Sequence, residues 1–386
     1  MHIPAKSKLH LRRFIVTLIS IMLAGIGCSE RRAAPAKKKP ATAVGPSWRP
    51  DYKRPPVIDM HTHLHGEVLP RLKRAMAENG LSTVINLSGG GSSRSVKASV
   101  ARQKAFPRII NFYSPIWRDR GREGFGLREA QRLEMVVKKW GYRGLKISKA
   151  LGLYLKNIQG ERIPVDWKEL DPLWNKAGEL GVPVAIHTAD PKAFWDPLGP
   201  ENERHEELSL HPNWSFAGGE YPSRETLLAE RNRVIAKHPK TTFICVHFGN
   251  NPEDLEAVGR LLDTYPNVMI DTAARVGEIG RHPPAQVRAL FVRHKTRILF
   301  GTDIGLSPRG IMLGSQGAVP PKESDITPFY EAHWRFFEGN APQIAHPTPI
   351  QGRWTVDAIA LPADVLDHLY WKNAARVLKL KVTASP

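Results

Sequence analysis

The chain has 386 residues, room for a barrel of about 250 residues with insertions, and its 41% apolar and 24% charged content suits a globular enzyme. A net charge of +19 invites a nucleic-acid partner, yet residues 1–54 alone hold twelve Lys and Arg against two Asp and Glu. The surplus left for the body is diffuse, too weak to do more than favour anionic small molecules, and no nucleic-acid-binding motif accompanies it.

The N-terminus reads as a targeting segment. Lys6, Lys8, Arg12 and Arg13 precede an apolar run over 14–27 that ends at Cys28. As a helix the run spans about 21 Å against a bilayer core of roughly 30 Å, so residues 1–28 are expected to be a signal peptide. Leu23-Ala24-Gly25-Ile26-Gly27-Cys28 resembles a bacterial lipobox, with Gly25 where Leu is usual. That resemblance implies a lipidated Cys28 and an exported lipoprotein held at the cell envelope, in the periplasm or at the outer membrane; plain secretion is the alternative. Residues 29–55 are Pro/Ala/Lys-rich without periodicity, which predicts a disordered basic linker, and the catalytic domain is expected over 56–386. Cys245 is the only other cysteine and lies in an apolar run, as a buried inert thiol does.

From residue 56 onward short apolar runs alternate with amphipathic stretches. The candidate strands are 57–60, 83–87, 109–113, 144–147, 182–186, 242–246, 268–270 and 298–300; the candidate helices are 128–139, 170–180, 224–237, 254–264 and 285–294. Eight strands alternating with helices predict an α/β chain closed into a (β/α)8 TIM barrel. An open doubly wound sheet is the alternative, but no G-x-G-x-x-G follows the first strand. Two long connections, after His187 to about Arg224 and after Asp303 to about Pro362, leave strand C-terminal ends. There they are placed as lids or pocket walls, and the first is rich in aromatics (Phe194, Trp195, Trp214, Phe216).

The first strand ends in Ile58-Asp59-Met60-His61-Thr62-His63, and alternation puts His61 and His63 on one face with Thr62 opposite. An H-x-H alone is weak evidence. Three further strands also end in metal-capable side chains: Ile186-His187-Thr188-Ala189-Asp190, Val246-His247-Phe248-Gly249-Asn250 and Leu299-Phe300-Gly301-Thr302-Asp303. These fall at one rim of the expected barrel. Nitrogen and oxygen donors without a thiolate pair suit zinc first, with manganese or iron as alternatives, as one ion or two.

These segments, with Gly144-Leu145-Lys146-Ile147 and the closing Leu361-Pro362-Ala363-Asp364-Val365-Leu366, Tyr370 and Asn373-Ala374-Ala375-Arg376-Val377-Leu378, resemble the amidohydrolase superfamily. The likeness is to its amidohydrolase-related (amidohydrolase 2) branch of metal-dependent hydrolases and decarboxylases, over roughly 56–380. The resemblance implies that His61, His63 and His187 bind metal with Asp303 as carboxylate ligand and proton carrier, and that His247 binds a second metal or polarises a carbonyl. Lys146 sits where some relatives carry a carboxylated lysine bridging two metals; binding a substrate anion and a structural role remain open, and Lys149 lies close enough to compete.

Three functions follow. The first is hydrolysis of a C–N or C–O bond in a small amide, lactone or ester by metal-activated water. The second is non-oxidative decarboxylation of an aromatic or unsaturated acid, and the third a catalytically silent binding lipoprotein. Asp190, Arg204 and His205 in the fifth loop, and Asp271 and Arg275 after strand seven, are candidates for substrate contact, with a structural ion pair as the other reading of the last two. Gly89-Gly90-Gly91-Ser92-Ser93-Arg94 reads as a flexible loop or an anion cradle, and His282, His294 and His333 match no motif position.

Overall fold

The computed structural model describes residues 52–380. The expected signal peptide, Cys28 and most of the linker lie outside the described residues, as do residues 381–386.

The apolar runs are strands β1 (Val57–Leu64), β2 (Leu81–Asn86), β3 (Ile109–Tyr113), β4 (Gly144–Ile147), β5 (Val184–Ile186), β6 (Phe243–Cys245), β7 (Val268–Asp271) and β8 (Ile298–Leu299). Each pairs in parallel with the next, as strands joined by helical crossovers must. Met60 N donates to Phe300 O and Asp303 N to His61 O, both at 2.9 Å, so the chain around β8 bonds back to β1. The sheet therefore curls into a TIM-barrel-like form. Ile58, Met60, Ile85, Ile110, Ile244 and Met269 belong to the apolar cluster on its inner side. A larger cluster between the sheet and its helices, including Val84, Leu145, Val184 and Ile270, forms the outer layer.

Past Asp303 the chain forms β9 (Ile304–Ser307), parallel to β1, and β10 (Gly310–Leu313), antiparallel to β9. The excursion then carries a helix over Ile326–Glu338, so it is more structured than a Gly- and Pro-rich connection suggests. Pro328 lies in the first turn, where it costs no helix hydrogen bond.

The glycine run after β2 lies packed against β3. A Cβ on Gly89 would lie 2.3 Å from Phe112 O and one on Gly91 2.0 Å from Ser114 O, so glycine lets this backbone pass against β3. Ser92 then caps a helix over Ser93–Ala105 by accepting from Ser95 N.

At the opposite end of β1, Arg54 and Tyr52, which composition alone assigns to the linker, pack onto the barrel. The Arg54 guanidinium makes paired bonds of 2.6 and 2.9 Å to Glu338 and lies 4.3 Å over the Trp334 ring. Tyr370 also donates to Glu338, at 2.8 Å.

Candidate metal centre

Alternation carries Lys146, His187 and Asp271 inward from β4, β5 and β7, since Ala185 and Met269, two residues before the last two, belong to the inner apolar cluster. His61 and His247 arrive differently. With Ile58 and Met60 facing in, strict alternation would turn His61 outward; a register shift between Asp59 and Thr62 breaks the pattern. The chain after Val246 turns through His247 in the left-handed region (φ 57°), which re-aims that imidazole. Ala189, Ala274 and Asp303 also have φ between 54° and 65°. Left-handed non-glycine backbone thus gathers at the ends of β5 to β8, where strain of about 1–3 kcal/mol per residue marks a site whose surroundings hold it in place.

The side chains that converge are those the sequence singles out. Nitrogen or oxygen atoms of His61, His247 and Asp303 lie within 4.8 Å of one another. His61 Nε2 and His63 Nε2 stand 3.4 and 3.1 Å from Asp303 Oδ1. The His187 ring centre is 4.4 Å from that of His247, but its Nε2 faces Asp190 Oδ1 at 3.4 Å. The tightest group therefore contains His247 where the resemblance places His63 and His187.

Burial sets the protonation states. It pushes the His247 imidazole well below its ordinary value and His187 down to about 4, against the pull of Asp190 on the latter. Lys146 is driven down to about 8 by burial, although Asp271 and Asp303 pull the other way. Burial raises the Asp303 carboxyl, yet the His61 and His63 imidazoles outweigh it and hold the group near 2. His63, His187 and His247 are thus biased toward the neutral imidazole, facing an ionised Asp303 carboxylate. His61 Nε2 and Asp303 Oδ1 are buried without a hydrogen-bond partner. Buried nitrogen and oxygen atoms left without partners in this way could hold a cation between them.

The other candidates divide. Asp190 joins Lys149 to His187 and lies 3.9 Å from the Arg275 guanidinium, whose Nε is buried and unpartnered. Arg204 does not reach the cation-binding group; it is fully buried between Glu207 and Glu278. Phe194, Trp195 and Phe216 pack on one another, and Lys149 Nζ lies 5.6–5.7 Å from the rings of Phe194, Trp214 and Phe216. Cys245 is buried, and burial raises its thiol pKa, as an inert thiol requires.

Several supporting residues escape the sequence reading. Ser88 Oγ is 2.7 Å from His63 Nδ1. Asp59, buried on the outer side, accepts from His61 N (3.1 Å), Thr302 N (3.2 Å), Thr302 Oγ1 (2.6 Å) and the Tyr330 hydroxyl (2.8 Å). It ties the histidine strand to the residue beside Asp303.

A curled parallel sheet with histidines and an aspartate at the C-terminal ends of its strands defines a TIM-barrel-like fold with a candidate metal site at its rim. The chain belongs to the amidohydrolase family, whose model matches residues 58–380. Solved structures of the same fold include 2,6-dihydroxybenzoate decarboxylase with 2,6-dihydroxybenzoate (17% identity, TM-score 0.50, covering 84% of this chain and 100% of that one). Another is a dihydroxybenzoic acid decarboxylase from Polaromonas sp. JS666 with bound manganese and 2-nitroresorcinol (16%, TM-score 0.51, 85% and 98%). A third is dihydroorotase from Campylobacter jejuni (13%, TM-score 0.51, 86% of each chain). No protein of curated function matches the chain.

Proposed function

We propose that this chain is a metal-dependent hydrolase that cleaves a C–N or C–O bond of a small amide, lactone or ester. The observation that carries the reading is the buried, unpartnered pair His61 Nε2 and Asp303 Oδ1, with a His247 ring nitrogen in the same 4.8 Å group. His61, His63, His187 and Asp303 would hold a divalent ion, zinc first and manganese or iron as alternatives, with His247 as a further ligand or as the group that polarises the scissile carbonyl. A divalent ion bound there supplies Lewis acidity and lowers the pKa of water toward about 7.

The protein's own groups do the rest. Asp303 stays ionised at neutral pH, so it can take a proton from the attacking water and return it to the leaving nitrogen or oxygen. Neutral His247 can donate to or accept from the substrate without bringing a charge of its own. Lys146, Arg275 and Asp190 line the same rim and orient the substrate.

Decarboxylation of an aromatic or unsaturated acid is the second reading. Arg275 favours it: a buried guanidinium with a free Nε beside His247 suits a carboxylate. Zinc- or manganese-loaded protein is expected to hold at least about one tightly bound equivalent and to hydrolyse a member of an amide, lactone and ester panel. His61→Ala should lose both the ion and turnover, by roughly a hundredfold or more. Equal turnover by the variant would sink the proposal, and CO2 release without hydrolysis would decide for the second reading.

A further inference from the structure

Asp271 touches two members of the cation-binding group without belonging to it. Its side chain is 1% exposed, at the end of β7. Oδ2 lies 2.8 Å from His61 Nδ1, while Oδ1 accepts from His247 N at 2.7 Å and from Ala273 N at 3.2 Å. We infer that Asp271 is a positioning residue that sets the imidazole tautomer of His61 and the strained backbone of His247 before any cation arrives.

An ionised carboxylate only accepts hydrogen bonds, so the His61 ring nitrogen facing Asp271 must carry the proton. The lone pair is then left on Nε2, the atom that stands 3.4 Å from Asp303 Oδ1. At His247 the same selection is made by a backbone carbonyl: Nδ1 lies 2.9 Å from Ala273 O, which leaves Nε2 as the lone-pair nitrogen. Asp271 reaches that ring through the main chain. His247 has φ 57° and ψ 47°, a conformation unfavourable for a side-chain-bearing residue, and the bond from its amide to Oδ1 is the fixed contact that holds it. One carboxylate thus serves two strands: it faces the His61 ring through one oxygen and holds the His247 amide through the other. Outer-sphere carboxylates of this kind typically change metal affinity by ten- to a hundredfold.

Asp271→Asn separates this role from mere packing, because the variant keeps size and shape. The Asn carbonyl must face the two amides, so its NH2 faces His61 Nδ1 and drives the proton to Nε2. The experiment uses 15N-histidine-labelled, metal-free full-length protein at pH 8, with the His61 signal identified by its absence in His61→Ala. The wild type is expected to show a protonated Nδ1, and Asp271→Asn a protonated Nε2. Zinc affinity, read by competition with a chromogenic chelator, should fall roughly ten- to a hundredfold in the variant, with the thermal midpoint of the metal-free protein little changed. A wild-type ring protonated at Nε2, or an unchanged tautomer and affinity in the variant, overturns the inference. The inference rests on the cation-site reading only through the affinity arm. Wild-type protein that holds no zinc would overturn the cation site, while the metal-free tautomer would still decide the role of Asp271.

Discussion

Lys146 shows how one residue's surroundings set what it can do. Its ammonium feels the Asp271 and Asp303 carboxylates, and its charge in turn acts on His63, His187 and His247. Burial holds its pKa near 8, so the charge is present at neutral pH and lost as pH rises through that value. If the ammonium binds a substrate anion, KM for an anionic substrate should rise above about pH 8. Lys146→Gln should then raise KM about tenfold or more at pH 7 while leaving the metal content intact. Loss of metal from the variant would instead assign Lys146 a bridging carbamate. The sequence places Lys146, His187 and Asp271 at the rim because alternation leads straight to them. It does not show how His61 and His247 turn inward, since that depends on a register shift and a left-handed residue fixed by contacts with neighbouring strands. Asp59 and Ser88 were hidden for the same reason: each acts on a residue from another part of the barrel, and nothing in their own segments marks it.

At the scale of elements, the strands and several helices with an apolar stripe are written in the sequence; the helix over Leu255–Thr264, which buries Val258, Gly259, Leu261 and Leu262, falls within one residue of its expected span. The helix over Ser93–Ala105 is not, because it buries only Val96, Ser99, Val100 and Arg102, two of them polar. Close approach is equally invisible in one dimension. The helix over Phe125–Trp140 begins against the turn at Lys168–Leu170, and a Cβ on Gly126 would fall 1.6 Å from Glu169 O. Gly126→Ala must push the helix off that turn and is expected to cost roughly 2–4 kcal/mol. Urea unfolding of metal-free protein reads this directly, and an unshifted midpoint would show that the turn yields freely.

Across the whole molecule the buried histidines set the acid limit. His187 and His333 are held neutral with pKa near 4, in each case by burial, against about 6.5 in an unfolded chain. A histidine depressed in this way leaves the unfolded chain binding more protons, so its stabilising effect is intact above pH 6.5 and is lost as pH falls toward 4. His333 lies among Phe300, Phe329 and Tyr330, away from the cation-binding group, and so isolates the effect. Between pH 7 and pH 4, His333→Phe is expected to lose on the order of 3 kcal/mol less stability than the wild type. Parallel pH profiles for the two proteins would refute the assignment.

Tension on the chain ahead of Tyr52 would enter the barrel at Arg54, whose paired bonds to Glu338 are braced by Tyr370 and the face of Trp334. The load passes into the helix over Ile326–Glu338 before it reaches the β1 ladder. His61 lies seven residues beyond Arg54, about 23 Å of extended chain. A pull at the tail therefore meets the barrel's floor first, and the same helix carries Tyr330, whose bond to Asp59 links that floor to the histidine strand.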